Sequence, residues 1–373
     1  MANNKNKEIK RGTVNTILQE LFESILVNEE NEDSSKENEF KITNYYFRGE
    51  SNDHPLQIPS LYLEKNLTEK GSEYYYRILL SELGREDYQE NTSLVRLISE
   101  LQHYGAKTRM LDVTKNPLIA LYFAVEKHDD KPGYIYIYSN DKENEKFDTG
   151  HTIAIKSALN FMPQEKINEF LFSASELIEK IKAKFKQHSN YRNLSIDEIK
   201  EELKEELKKD GQLKSHYSHI KSFIDLLNQR ARVRETLNRP FEIYEDLNKA
   251  HIVIPSKTTD RIRQQQGAFI YPKFVNTDDK KYRDDKDKID EIEIYENIKK
   301  DIANSIDELA VTLKLSKQKG SDEITEYSVI KIDGRYKKTI RKQLEILGIT
   351  EGFVYPDIEH QSKALLKVID NDK

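Results

Sequence analysis

The chain contains no cysteine and no tryptophan. Without thiols there are no disulfides, no thiolate metal sites and no cysteine nucleophile. Hydrophobic residues are also scarce, at 36%, while charged residues reach 34%. Such a composition suits helices with heavily charged outer faces and some solvated loops. No apolar run approaches the roughly 18 residues that a bilayer span needs. Residues 1–12 are polar and basic with no apolar stretch behind them, so nothing reads as a signal peptide. The expected location is therefore the cytoplasm, with no membrane partner. Sixty basic residues stand against 66 acidic ones, a net charge of −6. That is a mixed surface rather than the footprint of a nucleic-acid binder. It weighs against nucleic acid as a partner through Arg230, Arg232, Arg234, Arg261 and Arg263.

Common catalytic signatures are missing as well. The nine histidines show neither His-x-x-x-His nor HExxH spacing, so no metal is expected. There is no GxGxxG or GxxxxGK[ST] phosphate loop and no GxSxG elbow.

What is present is a string of helices interrupted by short strands. Val14, Ile17, Leu18, Leu21, Ile25 and Leu26 recur at helical spacing and predict a helix over 12–27. An acidic connection at 28–39 follows, then a strand over 41–47 that ends on Arg48-Gly49. Helices are predicted at 68–84 and 91–104, the second capped by Asn91 or Thr92 and closed by Gly105. Pro117 opens a short apolar helix over 118–126. Strands are expected at 134–139 and 152–155. Residues 163–238 are Lys/Glu-rich and helical by periodicity, and strands resume at 251–255. A helix carrying Arg261 and Arg263 leads into a strand at 268–271. After a solvated loop at 276–288 come a helix at 290–315, a strand near 327–332, a helix at 336–346 and a last helix beyond Pro356.

Without regular βαβ alternation, this order argues for an α+β fold with a mixed β-sheet core and an inserted helical subdomain. The expected divisions are an N-terminal helix and linker (1–40), a first core part (41–162), the helical insertion (163–240) and a second core part (241–373). The insertion is the face best suited to a protein partner.

Three segments place polar groups inside element-forming sequence. In YYFRGES, residues 45–51, Arg48 fits either an anion site beyond the strand end or a merely exposed arginine in a turn. Residues 101–124 crowd Gln102, His103, Thr108, Arg109, Asp112 and Thr114 against an apolar helix. This is either a pocket wall or an internal polar knot in which Arg109 pairs with Asp112 and Thr114 caps the helix. In DRIRQQQGAFIYP, residues 260–272, Gln265 and Gln266 bring amides to a helix–strand junction at Gly267, as site groups or as surface glutamines.

Together these segments resemble the FRG domain family, named for its Phe-Arg-Gly tripeptide, here Phe47, Arg48 and Gly49. Further matches are Pro59-Ser60-Leu61, the block LQHYG-x-x-TR-x-LD-x-T from Leu101, Arg261-Ile262 with Gln265 and Gly267-Ala268-Phe269, and residues 347–365. Glu50 departs from the pattern, standing where an amide is expected. The family's setting implies bacterial anti-phage defence or a toxin system.

A looser similarity runs to arginine-type ADP-ribosyltransferases, through Arg48-Gly49, then Asp112-Val113-Thr114, then Ala120–Ala124 (ALYFA). That resemblance implies NAD as cofactor, with Arg48 on its pyrophosphate, Thr114 ordering the site and Gln265 at the catalytic position. Phe47, Gly49, His103, Tyr104, Thr108, Arg109 and Gln266 would complete the nucleotide pocket, and Asp112 would join the catalytic group. Gln265 and Gln266 replace the expected glutamate, and an amide supplies neither a base nor a negative charge. An acid would then come from Glu50 or Asp112, or the pocket is a non-catalytic module for a ligand or partner.

Overall fold

The computed structural model describes residues 11–33, 44–54, 56–84, 93–140, 145–184, 191–282, 291–311, 313–315, 325–327 and 329–371. Its strands are β1 (Asn44–Glu50), β2 (Leu111–Thr114), β3 (Gly133–Asn140), β4 (Glu145–Phe147), β5 (His251–Ile254), β6 (Gly267–Tyr271), β7 (Leu313–Leu315), β8 (Thr325–Tyr327) and β9 (Val329–Ile332). Seven of them form one sheet in the order β4-β5-β6-β2-β1-β3-β9, and β7 and β8 pair separately. Within the sheet β4 and β5 run parallel and the other neighbours antiparallel, so the fold is α+β with a mixed sheet.

β1 lies inside the sheet and does not stop at Arg48. It pairs with β3 from Asn44↔Asn140 through Glu50↔Tyr134, because aromatic and β-branched residues fill both strands. Strand alternation then sends Phe47 and Gly49 to one face and Tyr46, Arg48 and Glu50 to the other. On the first face Phe47, Ile135, Ile137, Ile330 and Ile332 pack with the Pro117–Val125 helix and the N-terminal Val14–Asp33 helix. The opposite face buries Tyr46, Leu111, Val113, Tyr138, Ile252 and Ile270 beneath Ile306 and Leu309 at the end of the Glu291–Asp307 helix.

Gly49 sits directly beneath the apolar helix. A Cβ there would stand 1.7 Å from the Ala120 carbonyl oxygen and 2.8 Å from the Ala124 nitrogen. Gly133 on the neighbouring strand is under the same helix, 2.0 Å from the Ala124 oxygen by the same measure. Glycine at both positions lets a helix backbone rest on a sheet backbone.

A third hydrophobic cluster holds most of the remaining helices. Tyr76, Leu80, Ile98 and Leu101 share it with Phe170, Phe223, Leu227 and Phe241. The last four lie on the helices Gln164–Lys184, Gly211–Arg230 and Pro240–Leu247, with Phe170 stacked on Phe223 at 3.9 Å between centroids. The charged helices of 163–240 thus keep one apolar stripe, and that stripe packs into the same core as the helices before β2.

Some local expectations change. Residues 152–155 belong to the helix His151–Ala158, whose Ile153 and Ile155 bury against the Leu94–His103 helix cluster; four residues of alternating pattern suit either element. Ser93 occupies the N-cap of that Leu94–His103 helix, while Asn91 and Thr92 lie outside the described residues. Asn116, not Thr114, caps the Pro117 helix, its Oδ1 accepting from the Leu118 amide at 3.0 Å. The helix expected over 290–315 ends at Asp307. No described helix is long and apolar enough to cross a membrane.

Candidate functional site

A cavity of about 560 Å³ opens between the sheet, the Leu94–His103 helix, the Asp260–Gln264 helix and the Pro356-Asp357 segment. Phe47, Gly49, Asp112 and Thr114 contribute to it from β1 and β2, with Phe123 from the apolar helix and His103 and Tyr104 at its rim. Arg48 and Gln265 border it too. Residues far apart in the chain therefore meet around one space.

Arg48 is the most heavily bonded of them. Its Nη2 lies 2.8 Å from Glu50 Oε1, its Nε donates to Glu50 at 3.0 Å and to Gln57 Oε1 at 3.1 Å, and its Nη1 donates to the Asp112 carbonyl at 2.9 Å. Gln57 closes the knot by donating to Glu50 Oε2 at 3.1 Å. Burial would pull the Arg48 pKa down, but the Glu50 carboxylate, with help from Asp112, holds it above its ordinary value. Glu50 thus neutralises the arginine that the family resemblance assigns to an anion, and spends its own carboxylate doing so.

Asp112 is held from a different direction. Its Oδ1 accepts from Gln102 Nε2 at 2.9 Å, and the Gln102 Oε1 accepts from the Thr108 hydroxyl at 2.7 Å. Thr108 is fully buried and outside the cavity wall, so it acts by orienting Gln102, which in turn orients the carboxylate. Thr114 ties β2 to the opposite wall: its Oγ1 donates to the Gln265 carbonyl at 2.5 Å and accepts from the Asn116 amide at 2.9 Å. The Gln265 side chain donates to the Val354 carbonyl at 2.9 Å, fastening the C-terminal segment to the cavity.

Two further expectations are corrected. Arg109 does not pair with Asp112 and does not reach the cavity. Its side chain is buried beneath β2, donating to Tyr62 Oη at 3.1 Å and Gln164 Oε1 at 3.3 Å, with the rings of Tyr62 and Phe274 against its guanidinium. Gln266 is exposed and outside the wall; it adopts φ +47°, the left-handed turn into β6, and its carbonyl accepts from the Lys115 amide.

The wall also includes Arg261, which was not among the residues expected in the nucleotide pocket, and Arg96, Ser99 and Glu100, which were not singled out above. Arg261 Nη1 lies 2.6 Å from His103 Nδ1, and its guanidinium sits 5.3 Å from the Tyr355 ring centre. Arg261 can only donate, so His103 accepts on an unprotonated Nδ1, and burial, with the Arg261 charge, lowers the His103 pKa in the same direction. Arg96, Ser99, Glu100 and His103 all border the cavity from one helix. Their spacing of three and four residues, on a helix whose other face reads as core, was the available signal for them.

The model of the FRG domain matches residues 43–132, which span β1, β2, the intervening helices and the Pro117–Val125 helix. The chain carries an FRG domain. Its tripeptide is the β1 segment beneath the apolar helix, and its second block supplies His103, Asp112 and Thr114 to the cavity. Arg261, Gln265 and Asp357, the far wall, lie beyond the matched residues. No curated protein and no solved structure matches the chain.

Proposed function

We propose that the FRG cavity binds a nucleotide of the NAD class, as a ligand-binding module related in design to ADP-ribosyltransferases. The observation that carries this reading is the cavity itself. Its volume of about 560 Å³ is within the usual range for small-molecule sites, and it joins aromatic surface to guanidinium groups. Phe123 lines the interior, and Tyr104 stands 77% exposed at the rim, its ring 5.0 Å from that of His103 and otherwise open to solvent. A base stacked there gains on the order of 1–3 kcal/mol.

Binding is better supported than transfer. The Gln265 amide is spent on the Val354 carbonyl, and Glu50 on Arg48 and Gln57. Asp112 is the carboxylate left at the FRG floor, oriented through Gln102. Any ADP-ribosyl transfer in a defence or toxin setting would run through that residue. The test is calorimetric titration of the full chain with NAD and ADP-ribose, alongside Tyr104→Ala. Binding that weakens about 5- to 150-fold in the variant is expected from the lost stacking. No heat with either ligand at millimolar concentration would overturn the reading. Labelling of lysate proteins with radioactive NAD that persists in Asp112→Asn would remove Asp112 from the transfer step.

A further inference from the structure

Three arginines border the cavity, Arg48, Arg96 and Arg261. The FRG arginine is the obvious candidate to hold an anion, yet its donors are already committed to Glu50, Gln57 and the Asp112 carbonyl. An anion approaching Arg48 would have to displace a carboxylate already 2.8 Å away.

Arg261 is arranged differently. Its two contacts, His103 Nδ1 at 2.6 Å and the face of Tyr355 at 5.3 Å, are both uncharged. No carboxylate lies within ion-pair distance of it among the described residues. The acids nearest in the chain and across the rim have other partners: Asp260 pairs with Arg263 at 3.2 Å, and Asp357 with His360 at 2.7 Å. A guanidinium held by an aromatic face and a neutral imidazole keeps its whole charge, and its fork is already ordered for planar oxygen ligands. Arg96 lies two helical turns before His103 on the same face, roughly 10 Å along the axis, and extends the positive side of the cavity.

We propose that Arg261, not the FRG arginine Arg48, is the anion-holding group of this cavity, and that it grips the phosphate oxygens of the nucleotide. This rests on the nucleotide reading above and adds to it the residue and the part of the ligand. In this arrangement His103 and Tyr355 are positioning residues that aim the guanidinium, while Arg48 and Glu50 keep β1 and β2 together.

The test uses the full chain, three probes and one substitution. ADP-ribose, inorganic pyrophosphate and adenosine are titrated into the wild type and into Arg261→Gln, whose circular dichroism and melting temperature are first matched to wild type. We expect ADP-ribose and pyrophosphate to bind about 10- to 100-fold more weakly in the variant, the range for losing a charge-assisted contact, with adenosine unchanged. ADP-ribose affinity within twofold of wild type overturns the assignment of Arg261. Adenosine binding without any phosphate contribution also overturns it, and leaves the nucleoside part of the functional reading standing. Arg261-dependent pyrophosphate binding with neither ADP-ribose nor adenosine bound keeps the anion site and removes the nucleotide reading. Absence of binding by all three removes both. Should the glutamine variant fail to fold, Arg261→Lys makes the same comparison, since it keeps the charge and loses the fork: a drop of about tenfold in pyrophosphate affinity supports the assignment, and wild-type affinity overturns it.

Discussion

Replacing Gly49 by alanine adds a single methyl group to the FRG tripeptide, and the surrounding geometry sets its cost. The new carbon would lie 1.7 Å from the Ala120 oxygen, 2.7 Å from the Ala120 carbonyl carbon and 2.8 Å from the Ala124 nitrogen. Ordinary contact begins near 3.4 Å, so the helix or the strand must withdraw by more than an ångström. All three obstacles are backbone atoms, so no rotamer change relieves them. The helix cannot leave cheaply either, because Ile119, Ala120, Leu121, Ala124 and Val125 are all fully buried. Overpacked cores typically lose about 1–3 kcal/mol, and a backbone-on-backbone clash belongs at or above the upper end. We therefore expect Gly49→Ala to cost 3 kcal/mol or more, on the order of the top of that range. Two controls isolate the cause. Gly267 also borders the cavity, but its nearest neighbour to an added Cβ is 3.8 Å away, so Gly267→Ala should stay within about 1 kcal/mol of wild type. Gly105 has open space around it and φ +90°, so Gly105→Ala should show only the conformational cost, about 1–2 kcal/mol. Urea denaturation with a common slope measures all three. If Gly49→Ala unfolds within 1 kcal/mol of wild type, on the order of an ordinary surface change, then the glycine does not serve helix–strand contact and the packing argument fails.

Arg48→Ala should act mainly on stability. It strips the buried Glu50 of its ion pair, whose two side chains are 22% and 8% exposed, at a cost of about 2–4 kcal/mol. Unchanged denaturation midpoints in that variant would show that the knot contributes nothing, and would return Arg48 to the list of candidate ligand groups. His251 gives a pH signature. It is buried at the start of β5, and burial, reinforced by Lys156, pushes its pKa down to about 2. The unfolded imidazole takes a proton near pH 6.5, so this contribution to stability is intact above 6.5 and is lost as pH falls, by about 1.4 kcal/mol per unit. Between pH 7 and 5 the wild type should lose about 2 kcal/mol more than His251→Phe. Equal losses in urea titrations of the two proteins would contradict the burial effect.

Much of the fold was readable from local pattern. Alternating Tyr and Ile over 134–139 matched β3, and the helical spacing from Val14 onward matched the first helix. The FRG block also carried its own order, from β1 through β2 to the Pro117 helix. The site was legible only in part. His103, Asp112, Thr114 and Gln265 meet at one cavity as their grouping suggested, whereas Thr108, Arg109 and Gln266 do not border it. Arg109 illustrates the reason: it stands two residues before Leu111, where β2 begins, and three before Asp112, and extended chain sends side chains at odd spacing to opposite faces, so sequence nearness to Asp112 implied no contact. The short edge strand β4 was missed for a related reason, since Glu145–Phe147 carries no pattern beyond three residues and is defined by its partner β5.

The amino-acid order by itself determined which stretches bury and which repeat like helices or strands, because hydrophobic spacing acts within a few residues. It also determined that thiol chemistry is closed and that the Phe47-Arg48-Gly49 block is of FRG type. Only the tertiary structure decided what the three letters of that block do. Phe47 and Gly49 serve the helix above the sheet, and Arg48 is matched to Glu50 and Gln57, nine residues along and across a turn. It decided too that a cation with uncharged neighbours comes to the cavity from residue 261, more than 200 positions away. Whether a guanidinium is free or neutralised depends on which groups chain folding brings within about 4 Å, and no spacing in the sequence encodes that.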